Sequence, residues 1–238
     1  MGSSSILHSL RTGEINLQGQ FAQGSNYTFL VDVSTDSGPD SAVYKPSAGE
    51  QPLWDFPENT LAQREVAAFI TSEALRWDLV PPTVFREDGP EGGGSLQLFL
   101  DIEPTHNYFT LSEDEKQLLQ PVVIFDALIN NADRKAGHVA LMPNGHIQLI
   151  DHGISFHHEP KLRTVIWDFA GQTIPATLIE DLGKLSAKLE DQGSLSADLA
   201  GLLSSLEIQA LRDRNTQLIY AARFPVPGAQ RNHPWPLV

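Results

Sequence analysis

The chain has 238 residues, 41% hydrophobic and 19% charged, enough apolar length for one globular unit or two lobes sharing a cleft. It has no cysteine, which excludes disulfides and thiolate chemistry and makes a reducing cytoplasm the expected compartment. A formal net charge of -14 opposes nucleic acid and anionic membrane surfaces as partners, and no apolar run approaches the roughly 20 residues of a membrane-spanning segment.

Met1 to Ser5 lacks a basic-then-apolar leader pattern, and residues 1–14 read as an N-terminal tail, disordered at its start. Ile15 to Gln20, Tyr27 to Val33 and Ala42 to Tyr44 are short β-prone runs separated by Gly, Ser, Asp and Pro. The stretch Ala22 to Asn26 supplies a hairpin turn between the first two. A helix is predicted from Thr60, where Thr60 and Gln63 have capping-box spacing, to a stop before Pro81-Pro82. Ser95 to Leu100 reads as a further strand. From Ser112, paired with Glu115 in a second capping box, the pattern is helical through Leu118, Val122, Phe125 and Ile129, with Pro121 kinking or dividing it. Two strands, Val139 to Leu141 and Ile147 to Ile150, then flank a turn at Pro143-Asn144-Gly145. Ile179 to Arg223 is helical and rich in leucine. Strands followed by helices imply an α+β protein of two lobes.

Chemistry concentrates between Phe125 and Gly153. In an antiparallel hairpin the residue entering the first strand lies beside the residue leaving the second, so His138 and Asp151 are expected neighbours, with Asp133 on the loop just before them. Two carboxylates and an imidazole at one end of a rigid strand pair can hold a divalent ion and a base. Arg134, Lys135, Lys161 and Arg163 give this acidic chain a local basic exception nearby.

The loop Asp133-Arg134-Lys135-Ala136-Gly137-His138, the hairpin, and Ile150-Asp151-His152-Gly153 together resemble the catalytic and metal-binding loops of the phosphatidylinositol 3/4-kinase-like superfamily. The motifs look closest to type II phosphatidylinositol 4-kinases and secretory-pathway kinases. Upstream, Gly24 to Tyr27 resembles the nucleotide-covering turn and Val43-Tyr44-Lys45-Pro46 the strand of the ATP lysine. Gln63-Arg64-Glu65 resembles the helix of its glutamate partner, and Gly94 to Phe99 the strand entering the hinge. The resemblance implies a small kinase-like fold, with a β-rich nucleotide-binding N-lobe over residues 15–101 and a helical C-lobe over 102–238.

It also implies roles. Asp133 would orient or deprotonate an attacking hydroxyl, and Asp151 would ligate Mg²⁺ or Mn²⁺ on the phosphates of ATP. Lys45, fixed by Glu65, would hold the α/β-phosphates. Backbone amides near Ser25 and Asn26 would cover them. Adenine would lie against Gln97, Phe99 and Leu100, and Asp126 would brace the catalytic loop. The acceptor would be a hydroxyl-bearing small molecule, lipid or protein. His138 departs from the pattern, which has Asn, Asp or Glu as the second metal ligand. Imidazole suits manganese and other transition ions better than magnesium. Three readings follow: a single metal, a preference for Mn²⁺, or a nucleotide-binding module without transfer.

Rival readings come from the residues themselves. Five histidines between His138 and His158 allow a zinc hydrolase site built from His138, Asp151, His152 and His157 or His158. AMP transfer is the other enzymatic alternative. His157, His158, Lys161 and Arg163 read as the loop where an acceptor docks, and Trp167 to Gly171 as packing beneath it.

Overall fold

A computed structural model describes residues 3–21, 26–36, 38–103, 105–229 and 231–238. Five strands form one antiparallel sheet in the order β1-β2-β3-β5-β4: β1 Glu14–Gln20, β2 Phe29–Thr35, β3 Gly38–Pro46, β4 Thr83–Arg86 and β5 Gly94–Leu98. Alternation along β3 sends Ala42 and Tyr44 to one face and Val43 and Lys45 to the other. The first face is closed by a helix, α1 Ser3–Thr12, whose Leu10 is fully buried among Val31, Val33, Ala42, Tyr44, Val84 and Leu96. The second face is left for a cleft.

This helix corrects the expectation of a disordered start. Ile6, Leu7 and Leu10 recur at helical spacing, and the Arg86 guanidinium donates to the carbonyls of Leu10 and Gly13, each at 3.0 Å. Those last-turn carbonyls would otherwise lack partners. β4, which the sequence reading passes over, follows Pro81-Pro82 and pairs along β5.

Between β3 and β4 runs α2, Leu61–Leu75, which stops at Arg76 in the left-handed conformation, five residues before Pro81. The expected Thr60 cap does not form: its hydroxyl donates to the Pro57 carbonyl at 2.8 Å. Glu50 replaces it, accepting from the amides of Leu61 and Ala62 at 3.1 and 3.0 Å. A carboxylate is a stronger partner than a hydroxyl for the positive end of a helix.

The helical lobe begins with α3, Glu113–Lys116, which carries the expected Ser112/Glu115 capping box. Pro121 divides the pattern as predicted, opening α4, Gln120–Ile129, after a 3-10 turn. Val122, Val123, Ile124, Phe125, Leu128 and Ile129 are all buried, so α4 is the lobe's central helix. Each such side chain contributes about 1.5–3 kcal/mol by burial. The hairpin β6 Val139–Leu141 and β7 Ile147–Leu149 pairs Val139 with Leu149, and Gly145 takes φ +80° in its turn, where a side chain would be strained. Three helices complete the lobe: α5 Ala176–Leu189, α6 Ser194–Leu199 and α7 Ser205–Ala221. One continuous core joins α2 to α4, α5, α6 and α7, so α2 belongs by packing to the helical lobe.

Candidate active site

Lys45 reaches the inner end of the cleft because β3 alternation points it away from the buried Tyr44. Its ammonium bridges two lobes, 2.5 Å from Glu65 Oε1 on α2 and 2.9 Å from Asp151 Oδ1 after β7. The second oxygen of Glu65 accepts from the His152 backbone amide at 2.9 Å, which pins the segment carrying Asp151. Burial alone would lower the Lys45 pKa, but Asp151 and Glu65 outweigh it and hold the ammonium above the usual lysine value. Reciprocally, Lys45 holds the Asp151 carboxyl well below the usual carboxylate range.

Asp151 sits at φ +62°, in the left-handed region that few side-chain-bearing residues adopt. Such a residue persists where its surroundings over-determine it, commonly at functional sites. Its Oδ2 lies 3.3 Å from His138 Nε2, so the hairpin brings these two together as its register implies. Burial pushes the His138 imidazole down to about 4, with Asp151 opposing, so the ring is neutral at pH 7. Its Nδ1 is buried without a hydrogen-bond partner among the described residues. With the ring proton on Nδ1, the Nε2 lone pair facing the Asp151 carboxylate fits a divalent ion held between the two residues.

Asp133 is set by an Asx turn: the Asn131 side chain accepts from its amide at 2.9 Å and donates to Asp126 at 3.0 Å. Burial pushes the Asp133 carboxyl above its usual value, and Lys135, 3.1 Å away, opposes that. Arg134 is fully buried. It forms a bidentate pair with the buried Asp126 of α4 and donates to the carbonyls of His138 and Ile150 at 3.2 and 2.9 Å. Its other terminal nitrogen meets His152 Nε2 at 2.8 Å. One guanidinium thus joins the central helix, the loop carrying Asp133 and the segment after β7.

A cleft of about 620 Å³ opens from these groups between the lobes. Lys45, Glu65, Asp133, Lys135, His138 and Asp151 line its inner end, and Val43, Gln97, Leu98, Phe99 and Leu100 the other. β5 stops at Leu98, short of the expected Leu100, and the Phe99 amide is already given to Ser41 at 2.9 Å. The Leu100 amide has no protein partner among the described residues. Asn26 also lines the cleft, its side chain accepting from the Gln51 amide at 2.8 Å. Ser25, with the rest of the turn from Ala22, lies outside the described residues.

The zinc alternative is not assembled. His152 is fully buried against Arg134, while His157 and His158 stack on each other at 4.5 Å and His157 packs on Phe56. Among the described residues no group of three or more His, Asp or Glu side chains converges as a metal cage. Within the basic cluster Lys161 is not a free surface cation: it pairs with Asp55 at 2.8 Å, clasping the segment before α2 to the segment after β7. Sequence reasoning assigned no role to Glu50, read Lys135 only as one of a basic cluster and weighed His152 only as a zinc ligand; the structure instead sets Lys135 beside Asp133 and His152 against Arg134.

Solved structures that superpose on this chain include kinases. Golgi casein kinase with Mn/ADP bound superposes with a TM-score of 0.60 at 16% identity, covering 92% of this chain and 75% of that one. A Helicobacter pylori proinflammatory kinase, CtkA, superposes with a TM-score of 0.53 at 11% identity, covering 90% of this chain and 94% of that one. The fold is therefore kinase-like, an antiparallel sheet lobe against a helical lobe. The sequence matches no family profile. It is 37% identical to Protein Rv2133c of Mycobacterium tuberculosis over 95% of this chain and 93% of that protein. The chain belongs to the family of Protein Rv2133c.

Proposed function

We propose that the protein is an ATP-dependent phosphotransferase of the phosphatidylinositol 3/4-kinase-like kind, moving the γ-phosphate to a hydroxyl acceptor. The observation that carries this reading is the Lys45 ammonium between Glu65 and Asp151, at the inner end of an interlobe cleft. Phosphoryl transfer asks little covalent chemistry of a protein: it needs positioning and neutralisation of phosphate charge. Lys45, its rotamer fixed by Glu65, supplies positive charge to the α/β-phosphates. Asp151 and His138 would hold a divalent ion, which would supply positive charge against the phosphates. Asp133 accepts the proton of the acceptor hydroxyl or orients it, and Lys135 beside it balances its charge. The backbone after Phe99 receives the base, with the free Leu100 amide as donor.

Thermal stability with ATP, scanned against Mg²⁺ and Mn²⁺, tests the site without a known acceptor. A ligand that binds only the folded state raises stability by about 2.7 kcal/mol at 100 times its dissociation constant. A metal-dependent rise that Asp151→Asn abolishes and Lys45→Ala weakens is the expected result. No rise with either metal at millimolar ATP would sink the reading. The imidazole at His138 further predicts that Mn²⁺ supports a larger rise than Mg²⁺, and that His138→Asn narrows the difference. Product mass separates phosphate transfer from AMP transfer, and nucleotide binding with no turnover on any acceptor leaves the interaction-module reading.

A further inference from the structure

Within the cleft, the hydrogen-bond polarity of one side chain is fixed by a chain of donors running out of the sheet. The Thr83 hydroxyl donates to the carbonyl of buried Pro81 at 2.7 Å. A threonine hydroxyl has one hydrogen, so its oxygen can only accept from its next neighbour. That neighbour is Gln97, the cross-strand partner of Thr83, whose Nε2 donates to it at 2.8 Å. Turning the Gln97 amide over would set two oxygens against each other, or else draw the hydroxyl away and leave the Pro81 carbonyl unpaired. The network therefore decides which amide atom faces Thr83, and leaves Oε1 on the cleft side without a protein partner among the described residues.

Gln97 is the polar side chain among Val43, Leu98, Phe99 and Leu100 at the end of the cleft away from Lys45. Its strand partner on β3 is Val43, two residues from Lys45 and on the same face. A nucleotide with its phosphates at Lys45 and its base on the segment after Phe99 brings the base edge to this oxygen. We infer that Gln97, oriented by Thr83, selects nucleotides whose base presents an exocyclic amine, as adenine does, over bases with a carbonyl there. A carbonyl would place two acceptors face to face in a site with little water to separate them. This rests on the nucleotide reading above and adds its base specificity.

The test compares dissociation constants of ATP and inosine triphosphate, with Mn²⁺, for wild type, Gln97→Leu and Thr83→Val. The two nucleotides differ at the purine 6-position, amine against carbonyl, and at N1, which accepts in adenine and carries a hydrogen in inosine; the N1 difference meets the same backbone in every variant. Backbone contacts after Phe99 act alike in all three proteins, so the change in the affinity ratio isolates the side chain. Expected is a wild-type preference for ATP of roughly tenfold or more, the size of one mismatched hydrogen bond in a desolvated site. Gln97→Leu should shrink that ratio several-fold through weaker ATP binding. Thr83→Val frees the amide to turn its NH₂ to the base, and should shrink the ratio through tighter binding of inosine triphosphate. A ratio unchanged by both substitutions, with nucleotide still bound, overturns the inference alone. Failure of wild type to bind either nucleotide overturns the nucleotide reading and this inference together.

Discussion

A guanidinium with no exposed surface must find its partners inside the protein, and Arg134 finds them in Asp126, His152 and the carbonyls of His138 and Ile150. Removing one member of a buried ion pair leaves the other charge uncompensated, at a cost of about 3–5 kcal/mol. Asp126→Ala is expected to lower unfolding free energy by that order in urea titrations, and to weaken metal-dependent ATP binding, because Asp133 and Asp151 share the scaffold. Asp133→Asn should behave differently. The residue lines the cleft without supporting the loop, so the ATP-dependent rise in thermal stability should persist. Transfer to an acceptor, or slow transfer to water, should fall by about 10²-fold or more, the usual share of a general base. Loss of both binding and transfer in Asp133→Asn would place this carboxylate among the nucleotide ligands instead.

At the scale of elements, α2 is the hinge of the arrangement. Glu50 caps its start, Glu65 in its second turn faces Lys45, and Arg64, one residue earlier, reaches Glu207 of α7 at 2.6 Å. Glu207 also closes the Ser204 capping box of α7 with its other oxygen. Burial raises the Glu207 pKa, but Arg64 and the Ser204 bonds outweigh it and hold the carboxyl below its usual value. A carboxylate whose folded pKa is depressed adds stability above the ordinary carboxylate range, and that stability fades as pH falls through the folded value. The stability difference between wild type and Glu207→Gln should therefore be full at pH 7 and shrink below about pH 4. Chemical denaturation across that range measures it, and a difference that grows on acidification would contradict the ion pair. Glu50→Ala should cost about 1 kcal/mol, by loss of the acceptor for the Leu61 and Ala62 amides.

Across the whole molecule, both lobes contribute to the site. Lys45 comes from the sheet, while Asp133, His138 and Asp151 come from the helical lobe. The lobes are not independent in packing: Ala67, Ala68, Phe69 and Leu75 of α2 lie in the core shared with α4 to α7. Residues 1–101 expressed alone would expose that face of α2 to water. Such a fragment is expected to show no cooperative melting transition, whereas the whole chain should unfold in one, raised by nucleotide and metal. Calorimetry on both checks this, and a cooperative fragment would mean the sheet lobe holds α2 unaided.

What the sequence by itself determined was local. The hairpin turn at Asn144-Gly145 and the alternation of its strands set a register that makes His138 and Asp151 neighbours. The Ser112/Glu115 box and Pro121 likewise place α3 and the start of α4, because caps and proline act within one turn of the chain. Tertiary structure decided the rest. A threonine with the right spacing lost the cap of α2 to Glu50, since a carboxylate brought in by the preceding loop binds two amides at once. The Ser-rich start became α1 because the sheet's outer face needed cover and Arg86 was there to hold its last carbonyls. Lys45, Glu65 and Asp151 are separated by 20 and 106 residues from one another along the chain, as counted from Lys45. Only the closing of two lobes brings such distant charges within hydrogen-bond reach, and no periodicity or spacing encodes that distance.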